Sequence, residues 1–381
     1  MHPIVIIGSG LAGYNVAREL RKLDKETPLV IISADSGSYY SKPMLSSALG
    51  TGKTPQSIPM NSAEQMAGQL NGTVRVKTRI TALDPSSHAV SIGDETISYS
   101  KLVLALGADQ IRLPIKGSAA NRILTVNDLD DYASFRAALK DKSTIALIGA
   151  GLIGSEFAND LTTGGHKVEV IDIAPHPLSR LLPPEGGALL QRKLAELGVV
   201  WHLGTSVSAL DSDSDKLRIA LANGHCFAAD IVLSAIGLKP RTALAQSAGI
   251  KINRGIAVNR NLETSAPDIF ALGDCAEVEG LVLPFVMPIM HAARALAATL
   301  AGKPTAVSYP AMPVLVKTPA CPTIVSPPAD PSAGAWEVTA TEDSVKALFK
   351  DKTGKLLGFA LNGKATAERA TLMQQLPPVL A

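Results

Sequence analysis

Cysteine is scarce in this chain: Cys226, Cys275 and Cys321 stand 49 and 46 residues apart, with no Cys-x-x-Cys and no Cys/His cluster. That excludes a disulfide scaffold and a zinc site, so no metal ligands are assigned, and the odd count suits a reducing, cytoplasmic compartment. Aromatic residues make up only 4%, too few for the stacking platforms that bind single-stranded nucleic acid. Charge of one sign is also missing: 36 basic against 34 acidic residues leave +2, with no bulk attraction to nucleic acid or an anionic membrane. Long apolar runs are interrupted. The richest, residues 281–302, contains Pro284, Pro288, His291 and Arg294, so membrane insertion is not expected. The start, Met-His-Pro, has no basic leader before its first apolar run.

What remains is 46% hydrophobic residues over 381 positions, enough for two or three folded domains. The chain also repeats itself. Ile4-Val-Ile-Ile-Gly8-Ser9-Gly10-Leu11-Ala12-Gly13 returns as Ile145-Ala-Leu-Ile-Gly149-Ala-Gly151-Leu152-Ile153-Gly154. Each copy is an apolar strand, G-x-G-x-x-G, a helical pattern and a second strand (Leu29–Ile32 and Val168–Ile171). Thr78–Asp84, which includes Ile80, is echoed by Thr205–Asp211. About 25 residues on come Leu102-Val-Leu-Ala105-Leu-Gly107 and Ile231–Gly237. Alternating segments such as Leu217–Leu221 read as inserted β-meanders. The expected fold class is therefore α/β: two Rossmann-like dinucleotide-binding domains with inserted meanders, plus a small α+β C-terminal domain.

Two segments belong to neither copy. Residues 255–301 hold a short strand, Asp268–Asp274, and a helix expected from about Pro288, since proline suits a first helical turn. Residues 305–381 carry a hairpin signal at Asp351–Lys355 and a closing helix near Thr366–Gln375. The expected boundaries give one domain of residues 1–112 and 237–304, a second of 113–236, and a third of 305–381.

The physics of G-x-G-x-x-G is specific. The first glycine allows the tight turn, the second lets a pyrophosphate approach the backbone, and the third lets helix pack on strand, with the anion at the helix N-terminus. One copy is a weak signal; two in matching context predict two dinucleotides. Beyond the second, Asp172 ends its strand 23 residues after Gly149, where a carboxylate accepts hydrogen bonds from a ribose and repels a 2′-phosphate. No arginine follows at once, so NAD is expected over NADP. At the first site the acid is displaced to Asp35, leaving Ser33, Ala34 or Asp35 itself to meet the ribose.

Gly8–Gly13, Gly149–Gly154, Ser234–Gly237 and Thr264–Asp274 together resemble the two-dinucleotide-binding-domain flavoprotein oxidoreductases, over nearly the whole chain. That resemblance implies FAD at the first site and NAD(H) at the second, with Gly273 and Asp274 on the flavin ribityl chain. Disulfide reductases of this superfamily carry a cysteine pair, and its peroxidases a single cysteine, where this chain reads Tyr39-Tyr-Ser-Lys42-Pro43-Met-Leu-Ser46. The branch most similar is the one that reduces rubredoxin and ferredoxin. It implies rubredoxin as a transient electron-transfer partner, with electrons supplied to alkane hydroxylation or oxygen defence; the alternatives are an NADH-ferredoxin reductase of an oxygenase system and a non-enzymatic protein that senses flavin and NADH.

The same resemblance puts Lys42 beside the flavin and Glu156 at the flavin–nicotinamide junction, as the catalytic pair. An ion pair between them is expected to bridge the two sites. It also puts Lys317 over the flavin, and the backbone of Val286 and Met287, ahead of a helix, at the flavin pyrimidine. Plainer readings stand beside these: a solvated lysine for Lys42, a charge at a helix N-terminus for Glu156, an edge-strand lysine for Lys317. Cys275 and Cys321 are expected as buried structural thiols. No interface signature is legible, and a monomer is expected.

Overall fold

The computed structural model describes residues 2–381. Among the described residues eight α-helices form: α1 Leu11–Leu23, α2 Ala63–Leu70, α3 Leu129–Ala138, α4 Leu152–Thr163, α5 Pro184–Leu197, α6 Ala243–Ser247, α7 Val286–Leu300 and α8 Arg369–Met373. Two five-stranded parallel sheets dominate. The first runs Ile269–Ala271, Lys101–Leu104, Ile4–Ile7, Leu29–Ile32, Thr73–Arg75. The second repeats the pattern as Leu124–Thr125, Ile231–Ser234, Thr144–Ile148, Lys167–Asp172, Val200–Leu203. Their central strands, IVII and TIALI, are buried at nearly every position because both faces are covered, in the second unit by α4 and α5 on one side and by the antiparallel strands of residues 207–229 on the other.

Each unit carries a three-stranded antiparallel meander, residues 82–98 and 207–229, on the expected segments. The two units are joined by a two-stranded ribbon, Ala108–Gln110 against Leu238–Pro240, braced by Arg241 and Asp109 at 2.6 Å. A third, antiparallel five-stranded sheet is built from strands between Val314 and Gly363, its long hairpin turning at the expected Asp351–Lys355. The helix expected near Thr366–Gln375 is shorter, a 3-10 turn at Lys364–Glu368 leading into α8.

One hydrophobic core does not respect the sequence repeat. Leu45, Ala48 and Ile58, from the first third of the chain, are buried among Phe157, Leu161 and Leu190 of the second unit and Val316, Cys321 and Val345 of the third. The stretch after the second strand therefore crosses out of its own sheet and lies along α4.

Candidate functional site

Both glycine motifs sit where the strand order reverses, the usual crevice of such sheets. Gly8 and Gly149 have φ of +114° and +106°, a conformation that favours glycine. A methyl group at Gly8 would lie 2.2 Å from the Ala105 carbonyl oxygen, and one at Gly149 would lie 2.7 Å from that of Ala235. The third glycines are equally constrained: a methyl group at Gly13 or Gly154 would come within 1.9 Å of the Gly8 or Gly149 oxygen. The second glycines differ, for a methyl group at Gly10 or Gly151 would meet nothing within 4 Å. No packing reason requires glycine there, and no side chain caps α1 or α4 at these residues. Open space in front of uncapped helix N–H groups fits a pyrophosphate at each motif.

Around the first motif, Leu11 and Ala12 open α1, and Gly273 approaches so closely that a methyl group there would lie 2.8 Å from the Ala12 β-carbon. Ser9 Oγ lies 2.6 Å from Ser33 Oγ. Asp35 Oδ1 accepts from Ser33 Oγ at 2.5 Å, Ser9 Oγ at 3.2 Å and the Gly37 amide at 2.8 Å. Ala34 lies between these two anchors, and Ile80 packs half-buried against the first core. Asp274 is half-buried in a 3-10 turn at Gly273–Cys275, and its carboxylate accepts no hydrogen bond among the described residues. Burial pushes that carboxyl above the usual range, with Lys42 opposing. A half-buried acceptor without a partner suits a ligand hydroxyl.

At the second motif, Asp172 Oδ2 accepts from the Ala150 amide at 2.5 Å and Oδ1 from the Ala174 amide at 2.8 Å. The carboxylate thus braces the glycine loop, and each oxygen keeps a lone pair for a ribose. Leu152 packs at the second core while Ile153 is 37% exposed. Gly107 and Gly237 flank the ribbon, their carbonyls accepting from the Arg241 and Ile111 amides.

α7 begins at Val286, two residues before the expected start, so Val286 and Met287 form its first turn and do not precede it. Pro288 is its third residue, where the missing N–H costs nothing. Both apolar side chains are exposed, and no side chain caps this helix either.

The expected Lys42–Glu156 ion pair does not form. Lys42 opens a 3-10 helix (Lys42–Ser47, Pro43 in its first turn), and its Nζ donates to Asn127 Oδ1 at 2.7 Å. Burial lowers the basicity of Lys42, Asp274, Asp128 and Asp131 oppose that, and Arg241 adds to it. Glu156 is the fifth residue of α4 and only 1% exposed, which removes the reading as a charge at the helix start. Its Oε2 accepts from Ser46 Oγ at 2.6 Å and from Lys317 Nζ, and its Oε1 from the Lys317 amide at 3.0 Å. A buried carboxylate needs several donors at once, and the loop after the strand Val314–Val316 offers an ammonium and an amide together. Lys317 is therefore not a free edge-strand lysine.

Sequence reasoning passed over two neighbours of Glu156. Asn159 Oδ1 accepts from the Ala320 amide at 3.1 Å. Asp160 accepts from the Leu49 and Gly50 amides at 3.0 and 2.8 Å, its carboxyl raised by burial. Glu156, Asn159 and Asp160 share one face of α4, and three buried polar residues at i, i+3 and i+4 were the available signal. Tyr40 fastens the same stretch, residues 40–50, to α3, its hydroxyl accepting from the Leu129 amide at 3.1 Å. Cys275 and Cys321 are buried, and no helix is long and apolar enough to cross a membrane among the described residues.

Residues 2–298 match the family described as pyridine nucleotide-disulphide oxidoreductase, and residues 306–376 match a model described as rubredoxin binding C-terminal domain. The chain is 50% identical to a rubredoxin-NAD(+) reductase of Alcanivorax borkumensis over 381 residues, covering all of both chains. It is 49% identical to the same-named protein of Acinetobacter baylyi, over 100% of this chain and 99% of that one. A ferredoxin reductase of Rhodopseudomonas palustris, for the CYP199A2 system, superposes with a TM-score of 0.89 at 26% identity, covering 99% and 96%. With both glycine cradles in place and the match spanning both sheets, the chain belongs to the pyridine nucleotide-disulphide oxidoreductase family.

Proposed function

We propose that this protein carries electrons from NADH through FAD to a rubredoxin. What most supports the reading is the last domain: residues 306–376 match the rubredoxin-binding model, and that domain is tied to α4 at the cofactor crevice through Lys317 and Glu156. FAD belongs at the Gly8–Gly13 cradle and NADH at the Gly149–Gly154 cradle. We divide the chain accordingly into an FAD domain (1–112 and 237–304), an NAD domain (113–236) and a C-terminal domain (305–381).

Flavin, when bound, supplies what no side chain here can, a conversion between two-electron and one-electron chemistry. The balance is one NADH giving two electrons, NAD+ and one proton, with two ferric rubredoxins each reduced to the ferrous state. The protein's share is orientation and charge. Gly10 and Gly151 would admit the two pyrophosphates, Asp35 and Asp172 would meet the riboses, and Asp274 would hold the ribityl chain. Lys42 would set positive charge at the flavin, while Lys317, held by Glu156, would orient the last domain against it. The uncapped first turn of α7, at Val286 and Met287, adds its dipole, favouring the negative charge that reduction brings. The protein works as a cytoplasmic monomer, and the electrons it supplies suit alkane hydroxylation.

The test is NADH oxidation by the FAD-loaded protein with rubredoxin, a plant-type ferredoxin, a disulfide dye or oxygen as sole acceptor. Turnover with rubredoxin should exceed the others at least about tenfold, the margin that 1.4 kcal/mol of differential barrier provides. Equal or faster turnover with ferredoxin would transfer the assignment to a ferredoxin reductase of an oxygenase system.

A further inference from the structure

Among the described residues, the one hydrogen bond made by the Lys42 ammonium goes to a neutral group, the side-chain amide of Asn127. Asn127 is 8% exposed and lies just before α3, where Asp128 caps the helix by accepting from the Asp131 amide at 2.8 Å. It is held on every side. Its main-chain N–H donates to Asp131 Oδ2 at 2.9 Å, and its Nδ2 donates to the Ala108 carbonyl at 2.9 Å. Ala108 begins the ribbon that joins the two dinucleotide units. Because Nδ2 is committed to a carbonyl, which can only accept, Oδ1 has to face Lys42.

The choice of acceptor has an electrostatic consequence. An amide oxygen orients an ammonium without cancelling its charge, whereas a carboxylate at the same place would neutralise it. The charged groups around Lys42 are Asp274, Arg241, Asp128 and Asp131, and none of the carboxylates is ion-paired with it among the described residues. We propose that Asn127 is a positioning residue for the flavin reaction: it presents Lys42 to the cofactor as an ammonium that no ion pair neutralises and ties its place to the ribbon between the units. This rests on the reading that Lys42 stands beside the flavin.

The experiment is a double-mutant cycle on the midpoint potential of bound FAD, using Asn127→Ala, Lys42→Met and both together. Asn127→Ala and Lys42→Met should each shift the reduction equilibrium about tenfold toward oxidised cofactor, ~30 mV for two electrons. The double variant should shift no further than Lys42→Met alone. Additive effects, or an unchanged potential in Asn127→Ala, would overturn the proposal. An unchanged potential in Lys42→Met would remove Lys42 from the flavin and the proposal with it, while rubredoxin turnover by the wild-type protein tests the function separately. Asn127→Asp keeps the size and the acceptor that faces Lys42, gives up the bond to the Ala108 carbonyl, and provides a second readout. By raising the basicity of Lys42 it should slow acetylation of that amine in the holoprotein near pH 9 at least about threefold. An unchanged labelling rate would equally overturn the proposal.

Discussion

Glu156 and Lys317, 161 residues apart in sequence, form an ion pair that joins α4 of the second dinucleotide unit to the C-terminal sheet. The two side chains are buried unequally, 2% exposed for Glu156 against 28% for Lys317. Removing either partner should therefore have unequal consequences. In Lys317→Met the buried carboxylate keeps only Ser46 and one amide, and the expected cost is about 3 kcal/mol or more. In Glu156→Gln the lysine can turn to water, and the loss should be nearer 1–2 kcal/mol. Urea unfolding of the two variants measures this, and a larger loss in Glu156→Gln would contradict it. Glu156→Ala should also raise the KM for NADH more than it weakens FAD retention.

The glycines of each motif should separate into two kinds. Gly13→Ala and Gly154→Ala drive a methyl group into a carbonyl oxygen and should destabilise the fold by about 1–3 kcal/mol or more. Gly10→Ala and Gly151→Ala meet open space and should leave the apoprotein's thermal midpoint almost unchanged. Their effect falls on the ligands: about tenfold or greater loss of affinity for FAD in the first and for NADH in the second. Equilibrium titration beside calorimetry distinguishes the two kinds.

NADH should be preferred over NADPH, because Asp172 opposes the 2′-phosphate with like charge. Comparable kcat/KM for the two would contradict the assignment. Since Asp172 also holds the Ala150 and Ala174 amides, Asp172→Ala should narrow the preference and at the same time lower kcat/KM for NADH. A narrowed preference with undiminished NADH turnover would mean that the loop does not need its brace.

Glu277 should contribute to acid sensitivity. It is 6% exposed; burial raises its carboxyl, but bonds from the Gly255 amide, Asn253 Nδ2 and the Arg254 amide, with the Arg254 charge, bring it below the usual glutamate range. A lowered folded-state pKa means stability that is present above the unfolded value, about 4.3, and lost as pH falls through the folded one. Glu277→Gln should cost about 1–3 kcal/mol at neutral pH and flatten the decline between roughly pH 5 and 3. Parallel urea titrations across that window give the comparison.

Electron transfer should survive loss of the cysteines. Burial raises the thiol of Cys275 to about 11 and that of Cys321 above its ordinary value, and only Cys226 is exposed. The Cys275 thiol donates weakly to the Leu104 and Leu272 carbonyls, bonds that a serine hydroxyl can replace. A triple Cys→Ser variant that binds FAD yet fails to reduce rubredoxin would reveal a redox thiol.

The sequence by itself determined the parts that obey local rules. Glycine at +114° and +106°, apolar strands of period two or fully buried, and a carboxylate at a strand end are written in runs of a few residues, so both cradles and Asp172 were legible. Proline marked α7 to within two residues, since it is tolerated anywhere in a first turn. Only the tertiary structure decided who partners whom. Lys42 meets Asn127 across 85 positions and Glu156 meets Lys317 across 161, because a buried charge takes whichever complementary donors or acceptors the folded chain brings to it. The residues Tyr40–Gly50 look in sequence like part of the first unit. They are fastened instead by Glu156, Asp160 and the start of α3, because Leu45, Ala48 and Ile58 find their apolar surroundings beside α4. Hydrophobic burial has no sequence range, and that is why the three-way junction at α4 was visible only once the chain was folded.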